Sequence, residues 1–188
     1  MYHDDKVHLL GGAFLTTWTV LGLEDKSWRD MWPRLRTGRV GHEAVVIKNV
    51  FYVLGGQTVD EKYGTRSCEM FDPVKKYWSK MKPMIVPRHS FTSTVLNEDI
   101  FVTGGMNEDG ALSRCEKYNT RLHCWTELPE MSTPRHGHAA VVLEGVVFVI
   151  GGDSDTTEWF DTESHSWMKS TNLPTELTGH CGCVVNLY

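Results

Sequence analysis

Four short apolar runs along the chain each end in a glycine doublet. Val7-His8-Leu9-Leu10 precedes Gly11-Gly12, and Phe51-Tyr52-Val53-Leu54 precedes Gly55-Gly56. Ile100-Phe101-Val102-Thr103 precedes Gly104-Gly105, and Phe148-Val149-Ile150 precedes Gly151-Gly152. The doublets are 44, 49 and 47 residues apart. Self-similarity at that period marks a stack of supersecondary units. The near-continuous apolar runs, such as Ala44-Val45-Val46-Ile47 and Phe51-Tyr52-Val53-Leu54, predict strands buried on both faces. Lys48-Asn49 between those two runs predicts a hairpin turn, as do Asn97-Glu98-Asp99 and Glu144-Gly145 in the next units.

The rest of each unit keeps the period. A variable segment follows the doublet. Then come an apolar or aromatic residue and a Trp seven residues on: Leu21 with Trp28, Phe71 with Trp78, Tyr118 with Trp125, Phe160 with Trp167. In three copies a Glu stands two residues before the aromatic residue (Glu69, Glu116, Glu158). Asp72, Asn119 and Asp161 follow the aromatic residue and favour a tight turn by bonding their own backbone. The first copy is degenerate, with Thr19 in the Glu place and Gly22 after Leu21. An Arg lies 16 residues before the first Gly of three doublets: Arg39, Arg88 and Arg135. In the second unit the pattern predicts strands near 42–48, 50–55, 67–72 and 76–81. Glycine in the doublets implies φ > 0 or a close backbone approach.

With the Gly-Gly after the second strand, the Glu-x-aromatic-Asp/Asn of the third and the Trp of the fourth, the chain resembles the kelch-repeat family over nearly its whole length. The resemblance implies an all-β, kelch-type β-propeller built of four-stranded antiparallel blades. The repeats fall at about 5–33, 39–82, 88–129 and 135–173 in one domain, 1–188. Each repeat Trp is then expected at a blade interface. The first unit reads as lacking a first strand. Residues 179–188 read as a lone first strand, because Gly179-His180 aligns with Gly41-His42 and Gly137-His138. That makes four blades' worth of strands, as an open arc of a larger propeller or a small closed ring. The arc is preferred because the family's rings usually carry about five to seven blades.

Composition narrows the function classes. A net charge of −5 and pI near 6 argue against a nucleic-acid binder. No apolar run approaches the roughly 18 residues of a membrane span. Five Cys, none in Cys-x-x-Cys spacing, read as free thiols of a cytoplasmic protein.

The candidate chemistry is thin. His42, His138 and His180 are repeat-equivalent, as are Cys68 and Cys115, and a structural role is the default for all of them. Cys181 and Cys183 alternate on one strand at a spacing unsuited to a disulfide. The three Glu residues are expected to bond backbone N–H groups or pair with Arg inside each blade. Neither a metal site, a cofactor site nor a catalytic set is expected.

In kelch substrate adaptors, which this chain resembles, Arg at the place of Arg39, Arg88 and Arg135 grips acidic peptide residues. Guanidinium offers carboxylate a fixed fork of donors. If the three are ligands, their tips should be accessible; if they brace the blade, the tips should be buried and bonded within it. Arg66 and Arg114, in the loops before the third strand, are further candidates, with Tyr63 and Leu112 as apolar ones. The variable loops are 13–18, 57–68, 106–115 and 153–157.

The resemblance implies a non-enzymatic protein-interaction module with a protein or peptide partner, for which acidic character suits the Arg residues. Its most specific version is the substrate-recognition part of a cullin-RING ubiquitin ligase. There, BTB and BACK domains hold the cullin, and those segments would have to lie outside this chain. Actin or cytoskeletal binding is the alternative within the class. A kelch-like propeller enzyme is the other class, and it would need titratable residues converging on one face.

Overall fold

A computed structural model of the chain describes residues 2–3, 6–22, 24–179 and 182. Among these there is no helix. Two compact units divide the chain, Met1–His89 and Ser90–Tyr188.

The first unit holds two four-stranded antiparallel sheets, each in sequential order. The first sheet comprises β1 (Tyr2–His3), β2 (Lys6–Leu10), β3 (Trp18–Gly22) and β4 (Trp28–Asp30). The second comprises β5 (Glu43–Ile47), β6 (Val50–Leu54), β7 (Cys68–Asp72) and β8 (Tyr77–Lys80). The short β1 corrects the expectation that the first blade has no first strand. Its two residues pair with Val7 and Lys6, which the degenerate sequence there conceals.

In the second unit, β9 (Thr92–Leu96), β10 (Asp99–Thr103), β13 (Cys115–Asn119) and β14 (Cys124–Leu128) form one sheet. A miniature hairpin, β11 (Met106–Asn107) and β12 (Gly110–Ala111), stands in its variable loop. The other sheet is β15 (Ala139–Leu143), β16 (Val146–Ile150), β17 (Thr157–Asp161) and β18 (Ser166–Lys169). The expected lone strand at 179–188, with His180, Cys181 and Cys183, lies outside the described residues apart from Gly179 and Gly182.

Local chemistry explains the elements. Lys48 and Asn49 both have positive φ (48° and 67°), as a type I′ turn requires, and Asn97-Glu98 repeats the geometry. Asp99 belongs to β10, so that turn is one residue shorter than the sequence suggested. The Asp72 Oδ1 accepts from the Val74 N–H at 2.9 Å, and the Asn119 and Asp161 carboxamide and carboxylate oxygens do the same in their blades. The doublet glycines all have positive φ, and Gly56 also meets a close approach. Gly56 has φ +90°, and a Cβ there would sit 2.8 Å from both His42 Cβ and Val40 O. Its N–H donates to the Arg88 carbonyl at 2.9 Å, tying β6 to the strand entry of the following repeat.

The core of the first unit gathers Leu10, Trp18, Val20, Leu35, Phe51, Val53, Phe71 and Trp78 from both sheets. Trp18 and Trp78 are each 3% exposed, with ring centroids 5.8 Å apart at 75°. The second unit buries Leu96, Phe101, Cys115, Leu128, Met131, Val147, Val149 and Phe160 between its sheets. The Trp register therefore holds unevenly. Trp78 is buried, Trp125 and Trp167 are half-buried, and Trp28 is 51% exposed. In the first blade Trp18 fills the interior in place of Trp28. Trp78 and Trp167 also donate from Nε1 to the Pro33 and Pro129 carbonyls of the preceding connection, both at 2.9 Å.

Candidate functional site

Every doublet delivers the chain to the same end of its blade, where the variable loop meets the connection leading to the next strand. Isolated bridges pair Val40 with Gln57, Thr65 with Arg88, Leu112 with Arg135 and Ser154 with Leu177. The recurring Arg residues thus lie at the loop-bearing end, as expected.

Their side chains turn inward. Arg39, Arg88 and Arg135 are each 0% exposed. Arg39 Nη1 donates to the Gly55 carbonyl at 2.6 Å and the Ser67 carbonyl at 3.1 Å. Its Nη2 donates to Glu69 Oε1 at 2.7 Å. Arg135 repeats this with the Gly151 and Thr156 carbonyls and Glu158 Oε1 at 2.6, 2.8 and 2.8 Å. The partner-binding assignment of Arg39, Arg88 and Arg135 is therefore corrected: all three side chains are buried, and the tips of Arg39 and Arg135 hold the doublet and the third strand of their own blades. The physical reason is that the Arg39 and Arg135 guanidinium groups each find a carboxylate and two backbone carbonyls inside the blade, and a buried charge without such partners is prohibitively costly.

The Glu residues do both things foreseen for them. Glu69 Oε2 accepts from the Arg36 N–H at 2.7 Å, and its Oε1 accepts from the Thr37 N–H at 3.1 Å. Glu158 Oε2 accepts from the Ser132 N–H at 2.7 Å. Each carboxylate thereby ties the incoming connection to the blade as well as pairing with its Arg.

Leu112 is 8% exposed and packs inside, because its backbone pairs with Arg135; it is corrected as a surface candidate. Tyr63 (62% exposed), Arg66 and Arg114 do reach solvent. Arg114 forms an ion pair with Glu127. Three further apolar residues are exposed at this end. Phe14 and Leu15 project from the first variable loop, whose backbone lies against Gly38 so closely that no Cβ fits there. Trp32 is 70% exposed, with the Arg34 guanidinium 4.7 Å above its ring. Consecutive apolar residues beside a doublet could have flagged Phe14 and Leu15 from the sequence.

The histidines latch neighbouring sheets within each unit. His42 Nε2 donates to the Leu10 carbonyl at 2.7 Å, and the His138 Nε2 meets Thr103 Oγ1 at 2.9 Å. Burial holds the His42 pKa below its ordinary value, and Arg39 adds to this; its Nδ1 is buried without a partner. The unfolded chain therefore binds the proton more readily than the folded one. Stability is fully present above the unfolded value of about 6.5 and is lost as pH falls through it towards the folded value. Thermal melts at pH 7.5 and pH 5 should show a drop for the parent that His42→Gln reduces. Equal drops in both proteins would contradict the latch.

Cys68 and Cys115 are buried free thiols that donate to the Arg66 and Ser113 carbonyls at 3.4 Å, and Cys124 is free as well. Among the described residues no three His, Cys, Asp or Glu side chains come together as metal ligands would.

Comparison with known proteins fits this architecture. The sequence model of the KLHDC2/KLHL20/DRC7 Kelch-repeats domain matches residues 2–188. Kelch-like protein 40 of Xenopus tropicalis is 33% identical over 114 residues, which is 57% of this chain and 18% of that protein. Kelch-like protein 26 of Danio rerio is 35% identical over 71 residues, 36% of this chain and 12% of the relative. Human Kelch repeat and BTB domain-containing protein 12 is 33% identical over 88 residues, 42% of this chain and 14% of the relative. The matched stretch is thus a small part of each relative's length. The solved structure of YjhT superposes with a TM-score of 0.76 at 17% identity, covering 93% of this chain and 64% of that one.

Proposed function

The chain belongs to the kelch-repeat family, and on that premise we propose that it is a non-enzymatic interaction module presenting the loop-bearing ends of its blades to a protein or peptide. One observation carries the reading. The titratable residues that recur, Arg39 with Glu69 and Arg135 with Glu158, are consumed in bracing the blades. The exposed residues at the same ends change from blade to blade: Phe14 and Leu15, then Tyr63 and Arg66, then Arg114. A rigid scaffold with variable tips is the design by which loops carry recognition.

The more specific version is substrate recognition for a cullin-RING ubiquitin ligase, in keeping with the relatives named Kelch-like and BTB domain-containing. The cytoplasm is the proposed compartment, where free thiols such as those of Cys68, Cys115 and Cys124 persist.

Tyr and Arg dominate binding hot spots. A Tyr63→Ala, Arg66→Glu variant should keep the parent's thermal midpoint and lose at least about tenfold in affinity for peptides selected against the parent by display, since one charged hydrogen bond contributes about 1.5–3 kcal/mol. Titration calorimetry with such a peptide checks this. Undiminished binding by a folded variant would move recognition away from this loop.

A further inference from the structure

We propose that the first unit carries a docking cleft for an acidic side chain of a peptide segment, with Arg36 and Lys80 as its recognition residues. The cleft, about 210 Å³, lies beside the buried Arg39–Glu69 pair and is lined by Arg36, Thr37, Lys80, Met81 and Pro83 among others. Glu69 contributes no free negative charge there, because Arg39 and the Arg36 and Thr37 amides already claim both of its oxygens. The potential in the cleft is therefore set by the exposed Arg36 and Lys80 side chains, one from the incoming connection and one from the end of β8.

The repeats supply an internal control. Arg36 stands three residues before Arg39; the same place holds Ile85 before Arg88 and Ser132 before Arg135. Lys80 lies opposite Glu69 in the strand register; the same place holds Glu127 opposite Glu116 and Lys169 opposite Glu158. The brace beneath is kept in the blade with Arg135 and Glu158, yet only the blade with Arg39 combines two cations over it. Scaffold needs therefore do not explain the pair, and residues that differ over a common frame are where recognition resides.

Charge at longer range agrees. Residues 1–89 hold 14 Lys and Arg against 10 Asp and Glu, whereas residues 90–188 hold 5 against 14. A chain that is acidic as a whole thus has a basic half around this cleft, which steers an acidic segment towards it. Met81 and Pro83 offer apolar contact for the residue next to the carboxylate.

The inference deepens the interaction-module reading and rests on it, but its test is separate. Arg36→Ser and Lys80→Gln remove both charges at exposed positions without setting a like charge opposite Glu69, so the frame tolerates both. The probe is a pair of fluorescent dodecapeptides, one alternating Glu with Leu and one alternating Gln with Leu, measured by anisotropy. The parent should bind the Glu peptide at least about tenfold more tightly than the Gln peptide. The double variant, with an unchanged thermal midpoint, should lose that preference, and Lys169→Glu in the second unit should keep it. Retention of the preference by the folded double variant, or its absence in the parent, overturns the cleft. In either case a display-selected peptide that still depends on Tyr63 and Arg66 leaves the interaction module standing, and loss of that dependence as well removes both.

Discussion

Replacing Trp78 by Ala is expected to cost about 3–5 kcal/mol, the range for a large aromatic side chain removed from a packed core. The indole is 3% exposed and contacts Trp18 and Phe71 at centroid distances of 5.8 and 5.4 Å. Its Nε1 also holds the Pro33 carbonyl, so truncation opens a cavity and releases the connection into β5 together. The first unit should lose most of its cooperative unfolding. The repeat-equivalent Trp167→Ala should cost less, because Trp167 is only half-buried, although its bond to Pro129 is the same. Trp28→Ala should cost least. Urea unfolding of the three variants checks the order, and equal losses would contradict the burial described.

The second large effect is expected from breaking a brace. Arg39→Met leaves Glu69 buried beside two amides without its counter-charge, and about 3–5 kcal/mol should be lost, as for other buried pairs stripped of one partner. Part of that loss is the Gly55 carbonyl left without its Arg39 donor, whereas the Ser67 carbonyl keeps the Gly55 N–H. The Arg39→Met, Glu69→Leu double variant should lose clearly less than the two single losses added together, because each single change orphans what the other supplies. Arg135 and Glu158 should behave alike. Additive losses in denaturant melts would show that the two side chains act independently.

These effects mark what could be read from the sequence. The doublets, the apolar runs and the Asx turns are local signals, since their causes lie within a few residues, and they led to the strands within a residue or two. The Arg–Glu braces recurred visibly too. Recurrence could not say which way the guanidinium points, because that depends on Gly55 and Ser67 carbonyls brought over by the fold from 16 and 28 residues away. Leu112 failed as a surface candidate for a similar reason: a loop position looks exposed until its backbone pairs with Arg135. The first blade was hardest. There Trp18, placed outside the repeat register, took the core position by donating to His8 Nδ1 at 3.1 Å, and left Trp28 at the surface. The Arg36 and Lys80 cleft stayed hidden because its two residues are 44 apart and become neighbours only across the third and fourth strands.

The central claim is that the loop-bearing ends bind while the opposite ends only connect strands. Photo-crosslinking tests it most directly. A benzophenone amino acid is placed in turn at Tyr63, in the loop after the second doublet, and at Val74, in the exposed turn between β7 and β8 at the other end of the same blade. Both positions are solvent-exposed, so neither change should disturb folding. Irradiation with the display-selected peptide should give adducts from position 63 and none above background from position 74. Equal labelling at both, or labelling at 74 alone, would contradict the account.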